Sequence, residues 1–414
     1  MLKEVVCIKE KKTSLTVTNN KISAVLRSNI QKTGIRLYDS GCLGIAGAIG
    51  AYDENDLVKN ARRMLRFKLP YDCAPTADAK RRVDFSGRLT VSDESFVETC
   101  GKLLDVLGEK YPKFMFSNKI NLIESEESLL NDAGTDLSQK DRHFEMVLLI
   151  KYRDSKNLAD GAGLMVSRDM DFGEMVRQVS LTCDAYEEKA DFSEEKIPVV
   201  LAGTHYEFLM KFLTDLRGDV FATGASLFSG KTGEKLFHDD FSLIVNRDAE
   251  KTFTRSFDGE GIVLSNDRFT LVENGVLKAP YTSKWMAKQY DLPVTGSASM
   301  GYDSAPDATA YGIAAAQSEK TIKELLGGRK GILAIQAAGG DFTPQGEYAS
   351  PIQTAYFFDG EKLLGRLPQL AMTSHVGDMF GKDFIGASSD GPYPGAPFSY
   401  LAVEMNVKKI GGWM

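Results

Sequence analysis

The first fifty residues consist almost entirely of short β-rich runs separated by turn pairs. The runs are residues 2–8, 14–19, 21–28, 33–39 and 42–50. Pairs such as Asn19-Asn20 and Ser40-Gly41 stand between them, and Asn, Ser and Gly are typical of tight turns between strands. Connections this short favour neighbouring strands that run antiparallel. The sequence therefore predicts that the chain opens with an antiparallel meander.

Helical periodicity then appears in three segments of the first half. Residues 52–67 and 92–111 each carry apolar side chains on one stripe, and Ser92 is predicted to cap the second helix. A third helix is expected over 172–190, after strands that resume beyond residue 113. This order predicts an N-terminal sheet with helices packed on it.

The second half differs from the first in composition and in the order of its predicted elements. An acidic, polar stretch at 187–198 predicts a boundary between a first domain, 1–192, and a second, 193–414. Beyond it the chain is rich in glycine, lacks cysteine and alternates short strands with short helices without a regular βαβ order. We expect an α+β fold of two domains, an N-terminal antiparallel sheet with helices and a glycine-rich, mostly antiparallel C-terminal β domain with short helices.

Composition narrows the classes of partner. The 57 acidic and 50 basic residues are mixed along the chain and give a net charge of -7, which argues against a nucleic-acid-binding face. No run approaches the ~18 apolar residues of a membrane span, and the N-terminus returns quickly to charge, so no signal peptide or anchor is expected. Five scattered cysteines without a paired motif suit reduced thiols and the cytoplasm.

The common catalytic motifs are missing from the sequence. No G-x-S-x-G nucleophile elbow occurs, and residues 224–235 depart from a phosphate loop in spacing and in leading to a strand-like run, not a helix. Zinc hydrolases usually present two histidines about one turn apart on a helix beside a glutamate. His143, His205, His238 and His375 provide no such pair. We expect no cofactor and assign no catalytic residue.

The most informative stretch is residues 257–301. It contains an acidic turn with Asp258 and Glu260, a hairpin with Asn274-Gly275 at its tip, and a short helix stopped by Pro293 and Gly296. Asn-Gly is a favoured pair for a type I′ turn. The residues alone therefore predict a turn-rich hairpin followed by a helix.

This stretch resembles the C-terminal domain of the TldD/PmbA family, once called modulators of DNA gyrase, in which an F-D-D-E-G turn precedes the same elements. The matching positions are Phe257, Asp258, Glu260, Gly261, Glu273, Asn274, Gly275, Leu277, Thr295 and Gly296. Residues 127–139, 218–236 and 339–380 agree in order, so the resemblance extends over nearly the whole chain and is weakest in the first hundred residues.

The resemblance implies a bacterial cytoplasmic system in which a TldD-like subunit carries zinc on an H-E-x-x-x-H helix. Its partner, the PmbA/TldE-like subunit, lacks that motif. Counting back from Gly218-Asp219 places the first histidine, the glutamate and the second histidine on Leu209, Met210 and Thr214. None of these side chains can act as the ligand or base that its position requires. The loop at 386–400, where the zinc-bearing branch supplies a thiolate, has no cysteine.

The resemblance thus predicts a non-catalytic PmbA/TldE-like subunit of a heteromeric zinc metallopeptidase system that processes or degrades unfolded peptides, inactive alone. Its expected partners are a TldD-like zinc-bearing subunit, in a heterodimer or larger hetero-oligomer, and an unfolded peptide, with a homodimer as the option for the isolated chain. Four residues could line a peptide cleft or belong to the family motif, namely Asp258, Glu260, Gly261 and His375.

Two alternatives remain open from the sequence. One is an independent hydrolase with a non-standard metal site built from Asp258, Glu260, His375 and Asp378, since the acidic turn could place carboxylates in a cleft. The other is a regulatory binding protein, which only the older family name suggests. Neither alternative has a motif of its own.

Overall fold

The computed structural model of the chain describes residues 1–193, 196–201, 206–337, 339–388, 390–391 and 400–411. Its strands are β1 Leu2–Thr18, β2 Lys21–Asp39, β3 Cys42–Ile49, β4 Lys80–Asp84, β5 Phe114–Asn131, β6 Asp136–Tyr152, β7 Gly161–Ser167, β8 Lys196–Leu201, β9 Leu243–Asn246, β10 Arg268–Glu273, β11 Val276–Leu277, β12 Ile313–Ala315, β13 Gly331–Ala337, β14 Asp341–Phe342, β15 Glu347–Phe358, β16 Leu363–Arg366, β17 Leu370–His375, β18 Phe384–Ser388 and β19 Tyr400–Lys409. Its α-helices are α1 Glu54–Met64, α2 Asp93–Lys110, α3 Phe172–Ala185, α4 Tyr206–Asp215, α5 Gly218–Ala222, α6 Ala249–Thr252, α7 Lys284–Tyr290, α8 Ile322–Leu326 and α9 Val376–Met379.

The N-terminal sheet has seven strands in the order β3-β2-β1-β5-β6-β4, with β7 also paired to β6. The predicted meander is present as β1-β2-β3, but its strands are longer than the separate runs predicted. β1 spans 17 residues and β2 spans 19, because the polar segments between the runs stay in register with the neighbouring strand. Charged side chains there project from a face that is partly open to solvent, so they do not interrupt the backbone ladder.

Three helices cover the N-terminal sheet. Ser92 caps α2 as predicted, since its side chain accepts a hydrogen bond from the amide of Ser95 at 3.1 Å. The apolar stripe of α2 packs with side chains of β1, β5, β6 and α3 into one buried cluster. α1 covers the outer part of the sheet, over Ile35 and Leu37 of β2.

In the C-terminal half, five strands pair in a closed circuit, β13-β8-β19-β17-β15 and back to β13. The circuit closes because β15 pairs with β17 along its first half and with β13 along its second half. A separate sheet has the order β11-β10-β9-β12, and the predicted hairpin at its edge is present, with Glu273 opposite Val276 and positive φ at Asn274 and Gly275. One apolar cluster joins the circuit, this sheet and α4.

The α+β fold class and the largely antiparallel sheets are thus confirmed. Among the described strands the parallel pairings inside sheets are β4 with β6 and β8 with β13. The domain boundary predicted at residues 192 and 193 falls between α3 and β8 and stays a prediction. No helix within the described part of the chain is both long and apolar enough to span a membrane.

α4 should be essential for stability through Phe212 and insensitive to change at Met210. Phe212 is 1% exposed, and its ring centroid lies 4.8 Å from that of Phe380 and 5.2 Å from that of Phe237. Phe212→Ala is therefore expected to lower the free energy of unfolding by about 3–5 kcal/mol. Met210→Ala, on the 41% exposed position of the same helix, should change it by less than about 0.5 kcal/mol.

Denaturant unfolding of both variants measures this difference. Equal losses in the two variants would contradict the placement of α4 in the core.

Candidate functional site

The three residues that the resemblance assigned to the zinc motif lie on α4 and do not converge on one point. Leu209 is fully buried in the main C-terminal cluster, whereas Met210 is 41% exposed and Thr214 is exposed. The hydroxyl of Thr214 donates to the main-chain carbonyl of Met210 at 3.0 Å, as threonines on a helix commonly do one turn back. Leu209 therefore points into the core, whereas Met210 and Thr214, one turn apart, share the exposed side of the helix.

These residues do not fit a zinc ion. Zinc takes thiolate, imidazole or carboxylate ligands, and the ligand and base positions here carry a hydrocarbon, a thioether and a hydroxyl. Among the described residues no group of three or more His, Cys, Asp or Glu side chains could hold a metal ion. His205 and residues 389 and 392–399 of the late loop lie outside the described part of the chain.

Polar side chains of α4 stabilise the neighbouring loop. Lys211 and Asp215 form a largely buried ion pair at 3.0 Å, one helical turn apart. The second carboxylate oxygen of Asp215 accepts the amide of Leu227 at 2.8 Å and so anchors the glycine-bounded loop that follows α5. Burial raises the pKa of Glu207 in the first turn of α4. Of the charged side chains on this helix, Lys211 and Asp215 therefore bind each other, and Glu207 is half-buried.

The acidic turn at 258–261 is buried where the C-terminal half meets the N-terminal sheet. Asp258 and Glu260 are 1% and 2% exposed. Asp258 accepts the amides of Glu260 and Ile262 at 2.9 Å with one oxygen and that of Ala298 at 3.0 Å with the other. Its carboxylate therefore closes the turn on itself and ties it to the segment beyond α7.

Glycine is required in this turn for steric reasons. A Cβ atom on Gly259 would lie 1.9 Å from the carbonyl oxygen of Ser299, which is far inside van der Waals contact. Gly261 has φ +76°, a left-handed conformation that side-chain-bearing residues rarely adopt. The Phe-Asp-Gly-Glu-Gly pattern is thus explained by the backbone path.

Glu260 connects three parts of the chain. One carboxylate oxygen accepts the amide of Lys284 at the start of α7 at 2.6 Å, and the other accepts the hydroxyl of Tyr71. The main-chain carbonyl of Glu260 accepts from Thr76 at 2.5 Å. Burial, followed by repulsion from Asp258, raises the pKa of Glu260 to about 7. Burial and the nearby carboxylate also raise the pKa of Tyr71, which stays a hydrogen-bond donor.

Arg36 of β2 holds the same turn from the N-terminal sheet. Its guanidinium donates to the carbonyl of Gly259 at 2.5 Å, to that of Gly301 at 3.0 Å and to the carboxylate of Glu4 at 3.0 Å. Arg36 is 1% exposed and Glu4 is 0% exposed, so the pair is removed from solvent. Tyr38 and Asn131 complete the hydrogen bonds of Glu4 at 2.8 and 3.2 Å.

A second buried arginine repeats this arrangement at another point of the junction. Arg168 pairs with both carboxylate oxygens of Asp141 at 2.7 and 2.8 Å. It also donates to the main-chain carbonyls of Ala249 and Glu250, each at 2.7 Å. In both cases a carboxylate of the N-terminal sheet neutralises an arginine whose remaining donors bind the C-terminal half.

Sequence reasoning missed Arg36, Glu4, Tyr71 and Arg168. A signal was present for the first pair, because Glu4 and Arg36 occupy directly opposite positions of β1 and β2. Opposite charges in register inside two apolar β-runs indicate a buried cross-strand pair. No local signal links Tyr71 to Glu260, which lies 189 residues away in the chain.

His375 lies apart from the acidic turn and has its own partners. It caps α9, where Nδ1 accepts the amide of Gly377 at 3.0 Å, and Nε2 lies 3.0 Å from the carbonyl of Gln345. Asp378 pairs with Lys382 at 2.9 Å. The structure therefore brings Asp258 and Glu260 together but does not bring His375 or Asp378 to them, so the four do not form the metal site considered as an alternative.

A groove lies beside the turn on its solvent side. It encloses about 660 Å³ between the extended segment 72–77 and the outer face of α7. Thr76 and Lys284 line it and also contact the backbone or carboxylate of Glu260. The groove thus lies next to the turn, whereas the carboxylates of Asp258 and Glu260 are buried and face inward.

Comparison with known proteins identifies the family. Residues 194–402, just over half of the chain, match the family model described as the PmbA/TldA metallopeptidase C-terminal domain. The chain belongs to the PmbA/TldD family. The resemblance noted in the sequence is thereby confirmed.

Relatives of the PmbA/TldD protein extend the match over the rest of the chain. An uncharacterized protein of Methanocaldococcus jannaschii is 22% identical over 372 residues, covering 87% of this chain and 86% of its own. TldE from Thermococcus kodakarensis has the same fold with a TM-score of 0.82 and 18% identity, over 99% of this chain and 97% of that one. A candidate modulator of DNA gyrase from Thermotoga maritima gives a TM-score of 0.78 and 16% identity, over 98% and 96%.

The pKa of Glu260 predicts how stability depends on pH. The folded protein holds this proton more tightly than the unfolded chain, whose carboxyl has a pKa near 4.5. The resulting stabilisation is present below pH 4.5 and is lost as the pH rises through about 7. Glu260→Gln, which mimics the protonated carboxyl, should match the wild type near pH 5 and exceed its free energy of unfolding at pH 8 by on the order of 2 kcal/mol.

Denaturant midpoints recorded from pH 5 to 8 check the sign, with Glu98→Gln on the exposed face of α2 as the matched control. The idea fails if Glu260→Gln follows the same pH profile as the wild type.

Proposed function

We propose that this chain is the non-catalytic, PmbA/TldE-like subunit of a heteromeric zinc metallopeptidase that processes or degrades unfolded peptides in the cytoplasm. The observation that carries the proposal is the set of residues on α4, where Leu209, Met210 and Thr214 stand at the positions of the zinc ligands and the base. Because the chain belongs to a metallopeptidase family, these positions can be compared with the zinc ligands and base of its relatives. In an unrelated protein the same residues would carry no information about zinc binding.

The packing of α4 supports a structural role for this helix. Leu209 is buried with Phe208 and Phe212, so the side of the helix that would bear the first ligand is part of the core. A histidine there would have to lose its hydration without a polar partner, which is unfavourable. The helix is therefore built for packing, and the zinc chemistry of the proposed complex belongs to the partner.

We further propose that an unfolded peptide contacts the chain in the groove beside the acidic turn. Asp258, Glu260 and Gly261 are buried, so a peptide would meet Thr76, Lys284 and their neighbours in the 660 Å³ groove and not the carboxylates. The groove walls include the apolar side chains of Pro75, Ile262, Leu292 and Val294. Apolar walls can hold the apolar side chains that an unfolded peptide exposes.

Reconstitution tests the proposal. The purified chain, a homologue that carries H-E-x-x-x-H, and their mixture would each be incubated with a fluorescently labelled unfolded protein. The mixture should cleave it, a chelator should abolish that cleavage, and this chain alone should be inactive. The double substitution Met210→Ala and Thr214→Ala in this chain should leave the activity of the mixture unchanged within about twofold, since neither residue contributes chemistry.

The matched control is alanine at the glutamate and second histidine of the partner, which should abolish activity. Chelator-sensitive cleavage by this chain alone, or an inactive mixture of two folded chains, would overturn the proposal.

A further inference from the structure

The exposed side of α1 and the 3₁₀ turn that follows it carry five basic side chains. All five are exposed, and they are Lys59, Arg62, Arg63, Arg66 and Lys68. The first four recur at steps of three and four residues and form one stripe, opposite the side on which Leu57 and Ala61 pack against the sheet. The whole chain has a net charge of -7, so this stripe has the opposite sign to the protein that carries it.

Within the described residues no carboxylate pairs with any of these cations, and no ion pair involves residues 55–71. The next basic run along the chain differs in this respect. There Arg81 binds Asp267. Its neighbour Arg82 binds Asp136. Like charges one turn apart on a helix repel each other, so a ligand with negative charges would relieve a repulsion that the chain itself leaves in place.

Apolar side chains are exposed among the same cations. Phe67 is 63% exposed, Met64 is 43% exposed and Leu69 is 42% exposed. The guanidinium of Arg66 lies 4.9 Å from the centre of the Phe67 ring, so a cation and an aromatic ring are presented together. These three side chains and the five cations form the basic surface. Exposed apolar groups surrounded by charged ones are typical of a site that binds a partner.

The basic surface leads directly into the groove beside the acidic turn. Residues 69–71 are held to the hairpin of β2 and β3 by two main-chain hydrogen bonds of 3.0 and 2.8 Å. Asp72, the first residue that lines the groove, follows this segment. It lies four residues after Lys68 and hence within about 14 Å of it. A peptide in the groove can therefore continue onto the basic surface.

The charges that line the groove are balanced. Lys284 donates to the carbonyl of Ala74 at 2.6 Å, and Lys288 binds the carboxylate of Asp72 at 2.6 Å. Asp291 also lines the groove and supplies the second negative charge. The groove thus offers apolar walls with little net charge, whereas the positive charge lies beyond its end on the basic surface.

We propose that the groove and the basic surface together bind unfolded peptides in which an apolar segment adjoins a short acidic run. The apolar segment occupies the groove, and the acidic run lies along the stripe from Lys59 to Arg66. This inference rests on the proposed function, because it assigns the kind of unfolded peptide that the groove receives. The stripe covers about 10 Å of helix, which is the length of about three residues of extended peptide.

The limits of the basic surface favour a peptide over a nucleic acid. Exposed carboxylates stand at both of its ends, with Glu54 and Asp56 in the first turn of α1 and the 80% exposed side chain of Asp72 at the groove. A nucleic acid carries a charge at every nucleotide and would have to pass one of these groups, whereas a short acidic run ends before them. Aliphatic side chains of a peptide can also cover Met64 and Leu69, which a sugar-phosphate backbone cannot.

Fluorescence anisotropy of the full-length protein with labelled peptides tests the charge preference. Three peptides of about sixteen residues share an apolar half and differ in the other half, which carries four glutamates, four glutamines or four lysines. At low salt the glutamate peptide should bind about tenfold more tightly than the glutamine peptide, and the lysine peptide should bind more weakly than both. An ionic strength of about 0.3 M should remove most of this difference, because exposed charges are screened.

Charge reversal on the stripe locates the site. Arg62→Glu with Arg66→Glu should weaken the glutamate peptide by about tenfold or more and change the glutamine peptide by less than about twofold. The matched control, Lys102→Glu with Lys156→Glu, makes the same change in net charge at exposed positions elsewhere and should leave both affinities within about twofold. Arg62→Gln with Arg66→Gln adds no carboxylate at the end of α1 and should give a smaller loss in the same direction. Circular dichroism verifies that all variants are folded.

A substitution in the groove tests the apolar part of the site. Val294 lines the groove and is 39% exposed. Val294→Asp should weaken the glutamate and glutamine peptides alike, because both lose an apolar contact that they share. Unchanged affinity for both peptides would contradict the placement of the apolar segment.

These outcomes separate the inference from the proposed function. A preference for the glutamate peptide that requires Arg62 and Arg66 supports the inference, and a failure of the mixture with the zinc-bearing homologue to cleave that peptide would count against the proposed function alone. Equal binding of the three peptides, or an equal loss in the control variant, would overturn the inference, while cleavage by the mixture would leave the proposed function standing. Competition by a single-stranded oligonucleotide as strong as that by the glutamate peptide would also overturn it.

Discussion

The buried guanidinium of Arg36 is the interaction on which the joining of the two halves most depends. An isolated buried charge is strongly unfavourable, so Arg36 needs Glu4 as its counter-ion and further acceptors for its remaining N–H groups. Those acceptors are the carbonyls of Gly259 and Gly301, which belong to the C-terminal half. The N-terminal sheet is therefore complete only when the acidic turn is in place, and Arg168 imposes the same condition at a second point.

This constraint explains why the acidic turn is so distinctive in the sequence. Asp258 closes the turn, and Glu260 links it to Tyr71 and to the start of α7. Both carboxylates are occupied by donors from the chain and are buried, so they hold the groove wall in position from behind. Under the proposed function the chain contributes shape and peptide contacts, while the partner contributes the metal.

The sequence alone was sufficient to predict those elements whose structure depends on neighbouring residues. The Ser92 cap, the Asn274-Gly275 hairpin and the α+β class follow from short patterns. It was insufficient where contacts join distant residues. Arg36 and Gly259 are 223 residues apart, and closure of the five-strand circuit depends on β15 changing partners midway, which no periodicity records. The continuous strands β1 and β2 were also not predicted, because their polar segments resemble loops when only the sequence is considered.

Under the proposed function, Leu209, Met210 and Thr214 stand at the zinc-ligand and base positions of the family and cannot bind the metal. The most direct measurement is the metal content of the purified full-length protein by plasma mass spectrometry, after incubation with excess zinc and dialysis against buffer. We predict well below one equivalent of zinc per chain, with the same result for Met210→Ala and Thr214→Ala. One tightly held equivalent per chain, removed only by a chelator, would contradict the claim.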